Sequence, residues 1–268
     1  MKIIPNLPKI IKAYYALKYL SVHKKEIERA RAIGDIEAEK AGILAATTTW
    51  GSKLSEIFGA TITVYGRENL PEKGPVLYVS NHQAAADIVV LCAALDTIQF
   101  SFVTKAELAK VPLYGRWIDR VRAIFLERDD PRSSLQSIKH GIEYLEMGFS
   151  LLVFPEGTRS RGTKMGDFKP GAFKLATKPC VPIIPVTING TYRTYEDNGI
   201  MKGAPVQVMV HPAISTAGLT REQEHVLPEQ VKTIIQAGLD KLVALESTTA
   251  AQGSGSPALD STSAGKKS

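Results

Sequence analysis

Residues 76–95 read VLYVSNHQAAADIVVLCAAL. Val76–Val79 is a short β-rich apolar run, Ile88–Leu95 suits a buried helix, and a polar and alanine turn lies between them. The same unit recurs downstream. Phe100–Val103, Ala123–Leu126, Leu151–Phe154, Val181–Val186 and Val206–Val210 are further strand-like runs, with Ser134–Met147 and Gly171–Lys178 the clearest helical segments among them. That rhythm predicts an α/β fold, a mostly parallel central sheet flanked by helices. In such sheets ligands gather at the carboxyl ends of strands, so residues just past each run carry the chemical interest.

The 268-residue chain is 44% apolar, enough for one sizeable domain with appendages. Lys and Arg outnumber Asp and Glu by 33 to 27, an excess that suits a membrane surface or an anionic substrate. No basic run interleaved with aromatics is present, so nucleic acid is not expected as a partner. Cys92 and Cys180 sit singly in apolar surroundings, without metal or disulfide spacing, and are expected to fill core.

The organisation expected is a helical segment over 1–60, an α/β domain over 61–246 and a disordered tail over 247–268. The tail is small, polar and low in complexity. Before it, Val231, Ile234, Ile235, Leu239 and Leu242 recur at helical spacing, with Pro228 as a first-turn residue. Residues 8 to about 58 read as a helical hairpin, lysine- and tyrosine-rich at its start. Two placements stay open for it. It packs on the body, or it lies in a membrane interface with Trp50 and Phe58 on the second arm. No signal peptide and no charge-free apolar run of spanning length is visible.

Four strand ends bring candidate groups. His82 and Asp87 follow the first run. On one continuous helix they would lie about 140° apart, so they meet only if His82 is in the turn and Asp87 in the first helical turn. The small residues at 84–86 permit that approach. A carboxylate on one ring nitrogen fixes the tautomer and leaves the other to take a proton. The spacing alone is weak, because His23 and Glu28 share it in plain helix. FPEGTRSRG (154–162) places Glu156, Gly157, Thr158 and Arg159 on a turn, where arginine suits a phosphate. Arg128 follows a third run and Lys105 a fourth. VPIIPV (181–186) carries Pro182 and Pro185, which argue for an edge strand or a stiff apolar wall, including one lining a hydrocarbon channel.

Taken in order, NHQAAAD (81–87), LERD around Arg128, FPEGTRS (154–160) and VPIIPV (181–186) resemble the four blocks of the glycerolipid acyltransferases. The likeness is greatest to the bacterial 1-acyl-glycerol-3-phosphate acyltransferases. TKAEL with VPLYG (104–115) and KPGAFKLA (169–176) are similar to the family's linking segments, so the resemblance covers about residues 60–215. It implies transfer of a fatty acyl group from a thioester of acyl carrier protein or coenzyme A to the sn-2 hydroxyl of lysophosphatidate. Glycerol 3-phosphate or another lysophospholipid as acceptor, or a lipid-binding protein with an idle site, are the alternatives. The resemblance makes His82 the base and Asp87 its partner, and gives Arg128, Glu156, Gly157, Thr158 and Arg159 to the glycerol phosphate. Lys105 is a further candidate there, and Pro182 and Pro185 fall to the acyl side. No metal and no cofactor beyond the thioester co-substrate is implied. The membrane partner implied places the chain at the cytoplasmic face, peripheral or monotopic. Backbone amides around Asn81–Ala84 or near Gly157 are the expected oxyanion donors. The chain departs from the family at Ala84–Ala86, where larger or hydroxylated residues are common, and at Leu126-Glu127 before Arg128.

Overall fold

The computed structural model describes residues 3–111, 114–126 and 131–253. Its strands are β1 (Ala60–Tyr65), β2 (Leu77–Ser80), β3 (Phe100–Lys105), β4 (Ile124–Leu126), β5 (Ser150–Val153), β6 (Ile183–Asn189) and β7 (Ala204–Val210). They form one sheet in the order β1-β7-β6-β2-β5-β3-β4. Strands β6, β2, β5, β3 and β4 are mutually parallel, β7 is antiparallel to β6, and β1 is parallel to β7. The carboxyl ends of the five parallel strands therefore share one edge.

Helices cover both faces. One core joins the sheet to α1 (Ile3–Val22), α2 (Lys24–Ile33), α3 (Ile36–Phe58), α4 (Asp87–Ala94) and α5 (Tyr114–Arg120). The other joins it to α6 (Pro131–Glu146), α7 (Lys174–Thr177) and α8 (Arg221–Gly253). Successive strand side chains alternate, so Tyr78, Leu152 and Ile184 enter the first core and Leu77, Val79, Leu151, Val153 and Ile183 the second. Burial on both sides explains why these strands read as unbroken apolar runs. The added strand, β1, alternates exposed Thr61 and Thr63 with half-buried Ile62 and Val64, as an edge strand does.

Several expectations need correction. The N-terminal region is three helices rather than a hairpin, broken at His23 and at Gly34, whose φ of 74° caps α2. Asp35 then caps α3 by accepting the Ala38 amide at 3.0 Å. Trp50 is only 4% exposed, so it faces the core and not a membrane. Helix α3 lies so close to α4 that a Cβ on Gly51 would sit 2.7 Å from both Ala93 N and Val89 O. Buried Glu39 fastens the same helix to the far side of the body. It accepts Arg31 Nε at 2.7 Å and a two-pronged pair from Arg122, at 2.7 and 2.8 Å.

Pro185 does not make β6 an edge strand. Its carbonyl accepts His211 N on the β7 side, where the ladder has ended at Val186–Val210, so the donor that proline lacks has no ladder partner to miss. Cys180 is exposed, with φ 55° in the turn that closes α7, and only Cys92 fills core; burial pushes that thiol up to about 12. Pro228 lies inside α8. The helix begins earlier because Thr220 and Gln223 form a reciprocal cap, Gln223 N to Thr220 Oγ1 at 3.3 Å and Thr220 N to Gln223 Oε1 at 2.8 Å. The helix runs on to Gly253, into the stretch expected to be tail, and 254–268 lie outside the described residues.

Replacing Gly51 with valine is expected to destabilise the protein by about 1–3 kcal/mol through overpacking against the α4 backbone. A denaturant midpoint equal to wild type would show that α3 is not part of the body.

Candidate active site

The site begins where β2 ends. Asn81 turns its side chain back along the sheet, donating Nδ2 to Ile188 O at 2.9 Å and accepting Ile188 N at 2.8 Å. A side-chain amide thus extends the β2/β6 pairing beyond its last register pair, Ser80 and Val186. His82 follows in the turn and Asp87 opens α4, as the spacing required. The imidazole Nδ1 and Asp87 Oδ2 are 2.7 Å apart. The same oxygen accepts the amides of Gln83, at 2.7 Å, and Ala84, at 3.0 Å, while Oδ1 accepts the Thr191 hydroxyl. Asp87 and Ala84 both have no exposed surface. By contrast His23, with the same spacing to Glu28, pairs with Glu26 instead, and Glu28 binds Arg120.

The His82 ring lies flat on Phe154, centroids 4.1 Å apart and planes 16° off parallel. An acceptor carboxylate at Nδ1 makes that nitrogen the one bearing hydrogen, so Nε2 presents its lone pair. Among the described residues Nε2 has no hydrogen-bond partner.

The turn after β5 locks onto this loop. Ser160 N donates to His82 O at 2.8 Å and Arg161 N to Gln83 O at 3.1 Å. Glu156, expected at the phosphate, is turned inward. It is 5% exposed, and its two oxygens accept His82 N, at 2.7 Å, and Gly166 N, at 2.8 Å. Burial pushes its carboxyl above the usual glutamate range, against the opposing pull of those two amides. Its work is to hold the histidine's backbone. Gly157, at φ 68°, turns the chain over Lys169, whose Nζ would lie 2.8 Å from an added Cβ. Thr158 and Arg159 are exposed beyond it. Arg159 Nη1 donates to Glu196 Oε1 at 3.1 Å, and the same oxygen accepts Ala85 N at 2.9 Å.

Lys105 is exposed at the carboxyl end of β3, on the edge that His82 occupies. Arg128 lies outside the described residues. Pro182 and Pro185 are not brought to the dyad. Pro182 precedes β6 at the opposite edge, accepting Leu77 N at 2.9 Å, and Pro185 is buried within the sheet. The segment reaches the dyad through its other end, Ile188 to Thr191. Four of the expected oxyanion donors already have acceptors: the amides of His82, Gln83 and Ala84 bind carboxylates, and that of Gly157 binds Phe154 O at 3.0 Å. Among the described residues no cluster of three His, Cys, Asp or Glu side chains has the form of a metal site.

A histidine held by a buried carboxylate thus lies beside an arginine turn at the carboxyl edge of an α/β sheet, an arrangement suited to taking a proton. Residues 61–189 match the model of the family described as Acyltransferase. The 1-acyl-sn-glycerol-3-phosphate acyltransferase of Borreliella burgdorferi is 31% identical over 185 residues, 69% of this chain and 74% of that one. A chloroplastic enzyme of that name from Arabidopsis thaliana is 37% identical over 156 residues, 57% of this chain. The match spans less than half of that relative and of its Brassica napus and Chlamydomonas reinhardtii counterparts, 43%, 44% and 46%. The crystal structure of the 1-acyl-sn-glycerophosphate (LPA) acyltransferase from Thermotoga maritima superposes with a TM-score of 0.75. It is 27% identical, and the alignment covers 91% of this chain and 98% of that one. The chain belongs to this acyltransferase family.

Replacing Glu156 with glutamine leaves one acceptor oxygen for two backbone amides. An expected loss of about 1–3 kcal/mol follows from stranding a buried donor, with faster hydrogen exchange at His82 or Gly166. Unchanged protection at both amides would show that the carboxylate does not brace the loop.

Proposed function

We propose that the protein transfers a fatty acyl group from an acyl thioester, of acyl carrier protein or coenzyme A, to the sn-2 hydroxyl of lysophosphatidate, giving phosphatidate. The observation that carries this reading is the His82–Asp87 pair on a loop held rigid from two sides. The family relationship supports the reaction class, and the relatives' names support the acceptor.

The steps balance on groups already described. His82 Nε2 takes the proton of the acceptor hydroxyl while its oxygen attacks the thioester carbonyl. The buried Asp87 carboxylate steadies the imidazolium that forms. Collapse of the tetrahedral intermediate breaks the C–S bond, and the imidazolium returns the proton to the departing thiolate. The scheme calls on no metal, no other cofactor and no covalent enzyme intermediate. Arg159, Lys105 and Arg128 are assigned to the acceptor's phosphate, together with Thr158 and Gly157. Lys169, which the motif does not mark, adds a cation under the same turn.

Both acceptor and product are lipids, which gives α1 a role. Ile4, Leu7, Ile11, Tyr14 and Tyr15 are 46–87% exposed on that helix, next to the exposed lysine Lys12. An apolar and tyrosine face with lysines suits an interfacial helix. No described helix is long and apolar enough to cross a membrane. The reading places the enzyme peripherally or monotopically on the cytoplasmic face, anchored by α1, while α3 belongs to the catalytic body.

Purified protein is expected to release thiol and form phosphatidate when given lysophosphatidate with either thioester. His82→Ala should lose at least the ~10²-fold that general base catalysis contributes, while remaining folded. Wild-type-like turnover by that variant would refute the assignment. Preference for glycerol 3-phosphate or another lysophospholipid in the same assay would move the acceptor but not the chemistry. For the membrane role, the double substitution Ile4→Glu and Leu7→Glu should weaken co-sedimentation with anionic vesicles. Undiminished binding would exclude α1 as the anchor.

A further inference from the structure

We infer that Thr191, beyond the last of the four sequence blocks, is a positioning residue for the catalytic pair: its hydroxyl sets the rotation of the Asp87 carboxylate. The inference rests on the reading of His82 as the base. Asp87 Oδ2 accepts three donors, His82 Nδ1 and the amides of Gln83 and Ala84, all from the preceding six residues. Oδ1 has one donor among the described residues, the Thr191 hydroxyl, contributed by chain 104 positions away. Rotation about the bond to a carboxylate is soft and roughly twofold. A donor on the second oxygen is therefore what fixes the plane in which the first meets the imidazole.

The hydroxyl has a single hydrogen to give. Its other neighbour, Gln83 Oε1, is 3.4 Å away and already accepts Gly190 N at 2.9 Å, so the ionised carboxylate is the better recipient. Thr191 and Asp87 are both fully buried, and no solvent competes for the bond.

The backbone delivers the threonine. At the end of β6, Gly190 takes φ 98°, and a Cβ there would lie 2.4 Å from Pro205 O. That turn aims the Gly190 amide at Gln83 and the next side chain at Asp87. Thr191 then opens a one-turn 3-10 helix, Thr191–Thr194, closed by Thr194 Oγ1 donating to Thr191 O at 2.7 Å. Ile188, two residues before the turn, is bonded to Asn81 through both its backbone groups. One short run of chain thus holds the histidine loop at its root and the aspartate at its tip.

The test compares Thr191→Val, which keeps shape and removes the hydroxyl, with Thr191→Ser, which keeps the hydroxyl and removes the methyl. T191V is expected to lose about tenfold or more in kcat, within the range general base catalysis supplies. The KM for lysophosphatidate should not change, and T191S should stay near wild type. The Nδ1–H resonance of His82, assigned by its loss in His82→Gln, should shift in T191V and not in T191S. Wild-type kcat and an unmoved resonance in T191V would overturn the inference. Equal impairment of both variants would overturn it too, since packing and not the hydroxyl would then matter. If valine prevents folding, Thr191→Ala takes its place in the same comparison. If the wild-type protein transfers no acyl group, the functional reading fails, and the resonance still decides the role of Thr191.

Discussion

The carboxylate of Asp87 organises the candidate site. It is buried without surface contact with water, and it collects the imidazole and two amides on one oxygen and a hydroxyl on the other. A buried acceptor of this strength is costly to leave unmet, so the turn 82–86 closes around it. Two further tethers then become possible. The loop's amide at His82 is free to bind Glu156, and its carbonyls at His82 and Gln83 accept the turn that follows β5. The strand ends of β2, β5 and β6 are joined through side chains and turns, above the level at which the sheet's own ladder has stopped.

Much of this was legible in the sequence, and the failures have definite causes. Both-face burial made the central strands visible as apolar runs, while β1, half-exposed at an edge, showed only a short alternation beginning straight after a long helix. The dyad was legible because its spacing is too wide for one helical face and the alanines between are small. Thr191 was not, because the run VPIIPV was read as ending at Val186. The polar residues Thr187 and Asn189 hide the last residues of β6, which is buried along its whole length. With β6 ended early, the residue just past its true carboxyl end fell outside any reading based on strand ends. The inward bonds of Glu156 are hidden for a related reason: a carboxylate beside arginines in a turn looks like part of a polar surface, and only burial shows it accepting amides.

The N-terminal helices divide by packing rather than by sequence position. Gly51 lets α3 approach the α4 backbone, and Glu39 receives two arginines from outside its own helix. Only the carboxylate is fully buried, so its charge is met by two arginines that themselves stay partly exposed, and losing both would strand it. Helix α1 has fewer such constraints on its outer side. Its inner side is held by Asn6, which donates to Gly199 O at 2.8 Å and accepts Met201 N at 2.7 Å. That contact falls on the segment that began at Thr191. The helix with the exposed apolar face and the loop behind the dyad are therefore parts of one connected stretch of structure.

Rigidity of the histidine loop carries a chemical consequence. Each amide from His82 to Ala84 donates to a carboxylate, which fixes the backbone that carries the imidazole. Those same bonds remove the three amides from service as donors to a developing oxyanion, and Gly157 N is likewise turned inward to Phe154 O. If His82 is the base, as proposed, the bonds that position it are not available to stabilise the oxyanion. Arg159 is tied through Glu196 Oε1 to the Ala85 amide, and Lys169 lies against the Gly157 turn. On the proposed function, a carbonyl oxygen that gains charge beside His82 must be met by donors other than the amides of His82, Gln83, Ala84 and Gly157, because each of these already has its acceptor.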